Sequence, residues 1–167
     1  MKLALALLLT LATPAFAWNE PDSISGVQWG ATQEDLRVQL QRAGEPLRCD
    51  SPEICVSLRT SFGPVPVDIT YIFPNDGKLE MAIVAFRPTE YRKLRDVFVE
   101  RYGTPMSTRK EKSGRGCFQT TNEIAKWSGE RVVIDLRRFN SKSEGRATIM
   151  LKGLRDRDTE KEQKEQG

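Results

Sequence analysis

The chain reads as an α+β protein: one antiparallel sheet with two main helices packed on one face, built from two helix-then-three-strand repeats. Three observations predict this. Two segments carry apolar residues at helical spacing. Six others have the apolar alternation or length of half-buried strands. Both helical segments also end in the same stop pattern at a fixed separation.

The first helix opens at Thr32, which stands three residues before Asp35 in a pattern close to a capping box. Glu34 and Asp35 place negative charge at the positive end of the helix dipole. Leu36, Leu40 and Ala43 recur at i, i+4 and i+7 on one face, Gly44 closes the helix, and Pro46 prevents its continuation. The second helix opens at Pro88-Thr89. Its stripe is Tyr91, Leu94, Phe98 and Tyr102, widened by Val97, and Gly103 and Pro105 close it. Val38, Leu40, Arg42, Gly44 and Pro46 overlay Val97, Val99, Arg101, Gly103 and Pro105 at a constant offset of 59 residues. Because Gly-x-Pro is common stop chemistry, the strands that follow each helix carry the case for a repeat.

After the first helix come Ile54–Thr60, Val65–Phe73 and Leu79–Phe86; after the second come Cys117–Trp127, Val132–Arg138 and Arg146–Leu151. Val65, Val67, Ile69, Tyr71 and Phe73 alternate on one face, as do Leu79, Met81, Ile83 and Ala85, and Val132, Ile134 and Leu136. Pro74-Asn75-Asp76-Gly77 is a hairpin signal. Ser128-Gly129-Glu130 and Asn140–Gly145 are the other turns. The outer sheet face is expected to show Asp68, Thr70, Asp135, Arg137 and Thr148, with the apolar Ile72, Val84 and Phe86 among them. An apolar patch on an open sheet face is a contact surface; the alternative is that strand parity varies and these residues are buried. The segment Trp18–Ser25 reads as polar and loose.

Residues 1–17 have the layout of a cleaved secretory leader: Lys2, an apolar run from Leu3 to Leu11, Pro14, then Ala15-Phe16-Ala17. The run is shorter than the ~20 residues a spanning helix needs. A domain is expected over 18–154, with repeat halves near 26–86 and 88–153, and a charged disordered tail over 155–167. The expected location is periplasmic or secreted.

Composition narrows the chemistry. Without the leader, which holds one Lys and no acid, the net charge is +2, too balanced for a nucleic-acid binder. Histidine is absent, which removes Ser-His and Cys-His catalytic pairs and His-ligated zinc. No cofactor or metal is expected. An oxidising compartment favours disulfides. Cys49 and Cys55, separated by a turn-like segment, are the expected bridge and leave Cys117 unpaired; a bridge from Cys117 to either is the competing arrangement.

Candidate binding residues are Arg109, Lys110, Lys112 and Arg115, the densest basic stretch, with Gly114 and Gly116 letting the backbone approach an anion. An anionic lipid or glycan suits them, whereas a solvated loop needs no ligand at all. Asp68, Glu80 and Asp135 on neighbouring strands are the only pattern that suggests a hydrolase of the cell wall. Trp29 and Trp127 suit either sugar stacking or core packing.

The entry Val27-Gln28-Trp29-Gly30-Ala31-Thr32, the helix ending Gly-x-Pro, and strands with an Asp-Gly hairpin resemble a group of small secreted bacterial domains. The group includes the small lipoprotein of the outer-membrane assembly machinery (SmpA/OmlA-like) and the β-lactamase inhibitor protein. The resemblance spans about Gly26 to Gly153 and implies a helical segment plus a short antiparallel sheet, in tandem, acting by binding proteins. This chain lacks the acylated N-terminal Cys of the lipoprotein family, and none of the inhibitor's active-site-plugging loop residues maps onto it. The resulting expectation is a non-enzymatic binding protein of the cell envelope, contacting a protein or other envelope component through the open sheet face or the Arg109–Arg115 loop.

Overall fold

The computed structural model describes residues 18–74, 76–113, 120–139 and 144–153. The leader, the tail, Cys117 and Arg115 lie outside them. A small hairpin, β1 (Ser23–Ile24) and β2 (Val27–Gln28), precedes α1 (Gln33–Ala43). Then come β3 (Arg48–Cys49), β4 (Ile54–Phe62), β5 (Val65–Ile72) and β6 (Met81–Phe86). A 3-10 turn, Pro88–Glu90, leads into α2 (Tyr91–Tyr102), followed by β7 (Ser107–Ser113), β8 (Thr120–Ser128), β9 (Val132–Arg138) and β10 (Gly145–Leu151).

Eight strands form one antiparallel sheet in the order β3-β4-β5-β6-β10-β9-β8-β7. Each half starts at an edge and winds inward, and the halves meet at the β6–β10 pair. The helix-then-strands pattern therefore occurs twice, with four strands per half rather than three. The additional strands are β3 and β7. Strand β3 has two residues, too few to show a period. Strand β7, Ser-Thr-Arg-Lys-Glu-Lys-Ser, has no apolar residue, so alternation cannot reveal it; part of the expected basic loop is this strand. Both strands are edges. A charged edge and a very short one discourage pairing with other chains.

The core lies between sheet and helices. Pairing aligns Cys55, Tyr71, Ala82, Ile149, Ile134 and Trp127 across six strands, and Ser57, Ile69, Val84, Ala147, Leu136 and Ala125 beside them. Every member of both rows is at most 1% exposed. Leu36 and Leu40 of α1, and Leu94, Val97 and Phe98 of α2, cover these rows as the stripes predicted, but Ala43, at the last position of α1, is exposed. Phe98 meets Phe62 at 5.1 Å and Trp127 at 5.8 Å between ring centroids. Phe62 and Trp127 lie on strands five steps apart, ~24 Å in a flat sheet. The sheet therefore coils around α2.

The predicted caps are present, with one difference between them. Thr32 and Asp35 form a reciprocal capping box on α1. Gly44 adopts φ 71°, with Glu45 N–H donating to Leu40 C=O, a Schellman closure. Gly103 adopts φ 84° and ψ −173°, a conformation restricted to glycine. It turns its carbonyl to accept a 2.7 Å hydrogen bond from Trp127 Nε1. The same Gly-x-Pro letters thus make two different stops.

Two expectations are corrected. Trp18–Ser25 is pinned rather than loose. Asn19 N–H donates to Tyr102 C=O at 3.0 Å, Ile24 is buried, and the Glu20 carboxylate accepts backbone N–H groups of Glu130, Arg131 and Val132 at the β8–β9 turn. One negative side chain satisfies three adjacent donors, which composition could not disclose. The parity of β6 is also the reverse of that predicted. Ala82, Val84 and Phe86 are buried, while Met81, Ile83 and Ala85 face outward. The count from Leu79 misleads because Leu79 precedes the strand. Its backbone bonds Gly30 N–H and Ala31 C=O at the entrance to α1, which buries Leu79 and Glu80 consecutively and breaks the alternation.

Candidate functional site

The face of the sheet opposite the helices is the open one. Asp68, Thr70, Ile72, Asp135, Arg137 and Thr148 lie on it as expected; Val84 and Phe86 do not, and Met81, Ile83 and Ala85 take their place. Register aligns Ile54, Ile72, Met81, Met150 and Val133 into one row across five strands. Val56 and Ile83 stand in the next row, with Thr70 between them. Ile54 is 41% exposed, and Ile72, Met81, Ile83 and Met150 are half-buried. The apolar members concentrate on β4, β5, β6 and β10. The remainder of the face is mostly polar: Asp135, Arg137 and Arg146, with Lys126 and Arg109 further toward the β7 edge beside the buried Ile124.

The three arginines there have partners. Arg137 forms a two-pronged bond to Asp135 at 3.0 and 2.6 Å, which raises its pKa further above the usual arginine value. Arg146 pairs with Glu144 at 3.2 Å and Arg109 with Glu111 at 2.8 Å. Exposed pairs of this kind contribute at most ~1 kcal/mol each, yet they cancel the local charge.

The basic run 109–115 is divided by strand geometry. Arg109 lies opposite Ile124 on the open face, whereas Lys110 and Lys112 lie opposite Glu123 and Thr121 on the helix side. Alternation therefore puts Arg109 on one face and Lys110 and Lys112 on the other, while Arg109 and Lys110 both border a cleft between β7 and α2.

The three carboxylates are likewise dispersed. Asp68 accepts the Arg59 N–H at 2.7 Å, holding a bulge where Arg59 adopts φ 56° and the β4–β5 register shifts. Asp135 lies three strands away, ~14 Å at normal strand spacing. That exceeds the ~5–9.5 Å between the carboxyl pair of glycosidases. Glu80 is buried just before β6 and has the opposite parity to Met81.

Cys49 and Cys55 form a disulfide directly across the β3–β4 pair. Trp127 is a fully buried core residue, and Trp29 donates its indole N–H to Pro21 C=O at 2.8 Å. No helix among the described residues is long and apolar enough to cross a membrane. Family models, curated proteins and solved structures offer no match to the chain.

Proposed function

We propose that this chain is a non-enzymatic binding protein of the periplasmic or secreted space, and that the open sheet face is its contact surface. The partner is a folded protein presenting an apolar centre. The observation that carries the reading is the cross-strand row Ile54, Ile72, Met81 and Met150, with Ile83 beside it, on a face that neither helix covers. A partly exposed apolar band on a rigid sheet loses area to water until a partner covers it. The leader-like residues 1–17 and the Cys49–Cys55 bridge support an oxidising location. The likeness to tandem secreted domains supports binding as the mode of action.

The test compares the wild-type protein with an Ile72→Lys, Met150→Lys variant in pull-downs from cell-envelope extract at physiological salt. Both side chains are at the surface, so circular dichroism and melting should be near wild type. A specific protein should be retained by the wild type, lost by the variant, and still retained when salt is raised. Recovery of no partner, or equal recovery by both proteins, would overturn the reading.

A further inference from the structure

On the helix side, Lys110 lies opposite Glu123, and Arg138 opposite Glu123 on its other flank, so three strands present a cation, a carboxylate and a cation in one row. This row continues the buried sheet face past its apolar end. Residues Tyr91 and Arg95, four apart on α2 and hence on one face of it, stand above the row. Between helix and strands is a cleft of about 300 Å³ lined by Tyr91, Arg95, Thr108, Arg109, Lys110, Glu123 and Ile124.

The charges in this cleft do not balance. Glu123 contacts Arg138 at 3.5 Å. Neither Arg95 nor Lys110 has an acidic partner within ion-pairing distance among the described residues. The nearby acids are engaged elsewhere: Glu90 with Lys93 at 3.0 Å, and Glu111 with Arg109 at 2.8 Å on the opposite face. By contrast, Arg131, Arg137 and Arg146 each have a carboxylate of their own. Two cations without an acid of their own, Arg95 and Lys110, in a recess walled by the buried Tyr91 ring concentrate a positive potential, which falls if an anion enters.

We propose that this cleft is a binding site for a tetrahedral oxyanion of the phosphate or sulfate class. Arg95 offers a planar fork from the helix, and Lys110 a point charge from the strand. The Thr108 hydroxyl is a neutral donor in the same wall. Glu123, the acid in the wall, is itself paired with Arg138 on the next strand. Arg109 also lines the cleft, but its charge is paired with Glu111, so the cation that joins Lys110 is Arg95 of the helix rather than the rest of the basic run. It lies on the other side of the sheet from the proposed protein contact and stands or falls separately.

The test is calorimetric titration of the purified protein with inorganic phosphate in a non-anionic buffer, for wild type, Arg95→Gln, Lys110→Gln and, as a control, Arg42→Gln in the exposed last turn of α1. Saturable binding should weaken about tenfold in Arg95→Gln and in Lys110→Gln, as expected for loss of a charge-assisted bond. It should remain unchanged in Arg42→Gln and decline with added sodium chloride. Absence of saturable binding, or an equal loss in Arg42→Gln, would overturn the proposal. Flotation with phosphatidylcholine vesicles, alone and mixed equally with phosphatidic acid, then identifies the source. Capture on the mixed vesicles, competed by phosphate and lost in Lys110→Gln, assigns the site to a lipid headgroup. Phosphate binding without vesicle capture assigns it to a soluble phosphate.

Discussion

Reduction of the Cys49–Cys55 bridge should destabilise the protein by about 2 kcal/mol. The two cysteines are six apart in sequence, so the cross-link closes a short loop in the unfolded chain. The loop-closure relation for a ring of that size gives an entropy that amounts to ~2 kcal/mol at 25 °C. Reduction by itself separates this term from packing: Cys55 is fully buried in the core row, and a free thiol there keeps nearly the same volume. Mutation to Ala would add a cavity. The measurement is a urea melt with and without a phosphine reductant, followed by tryptophan fluorescence from Trp127, which is buried among Phe98 and neighbouring core residues. The midpoint should fall with little change in slope, and the melting temperature should drop by about 6 °C at the ~3 °C per kcal/mol typical of a domain this size. An unchanged midpoint would mean that the bridge does not constrain the unfolded chain. A loss above ~4 kcal/mol would mean that the two-residue strand β3 contributes far more to the fold than loop closure allows.

Other expectations follow from individual contacts. Trp127→Phe leaves the Gly103 carbonyl without its donor and opens a void beside Phe98, so a urea melt should show a loss of about 2–4 kcal/mol. Gly145→Ala puts a methyl group into the Phe86 ring at the seam between the two halves; a loss of about 1–3 kcal/mol is expected, and a neutral result would mean the seam is loosely packed. The Asp35 carboxyl is held below the usual aspartate range, first by the Thr32 backbone N–H and then by its hydroxyl. Its contribution is therefore complete above the ordinary aspartate value and disappears as pH falls through the lowered one; the acid limb of a stability–pH curve should be shallower in Asp35→Asn. Glu20→Gln should expose the N-terminal segment, read as faster amide exchange at Glu130, Arg131 and Val132 while the central strands stay protected.

Much of the chain announced its structure through local pattern. Helix termini at Thr32, Gly44 and Gly103, the strand from Val65, the Pro74–Gly77 turn and the Cys49–Cys55 bridge depend on neighbours a few residues away, and residue type suffices to specify them. Charge balance and missing histidine are properties of composition alone. The tertiary structure decided what depends on distant partners. Strand β7 exists because β8 supplies its hydrogen bonds, although its own residues carry no period. The outward parity of Met81 and Ile83 follows from a backbone bond between Leu79 and the α1 entrance. Lys110 meets Arg95 across one cleft only because α2 crosses above β7. Local pattern carries short-range backbone preference, but which charges converge and which apolar faces remain uncovered is settled by register and packing between separate elements, where a residue's near neighbours in the chain have no say.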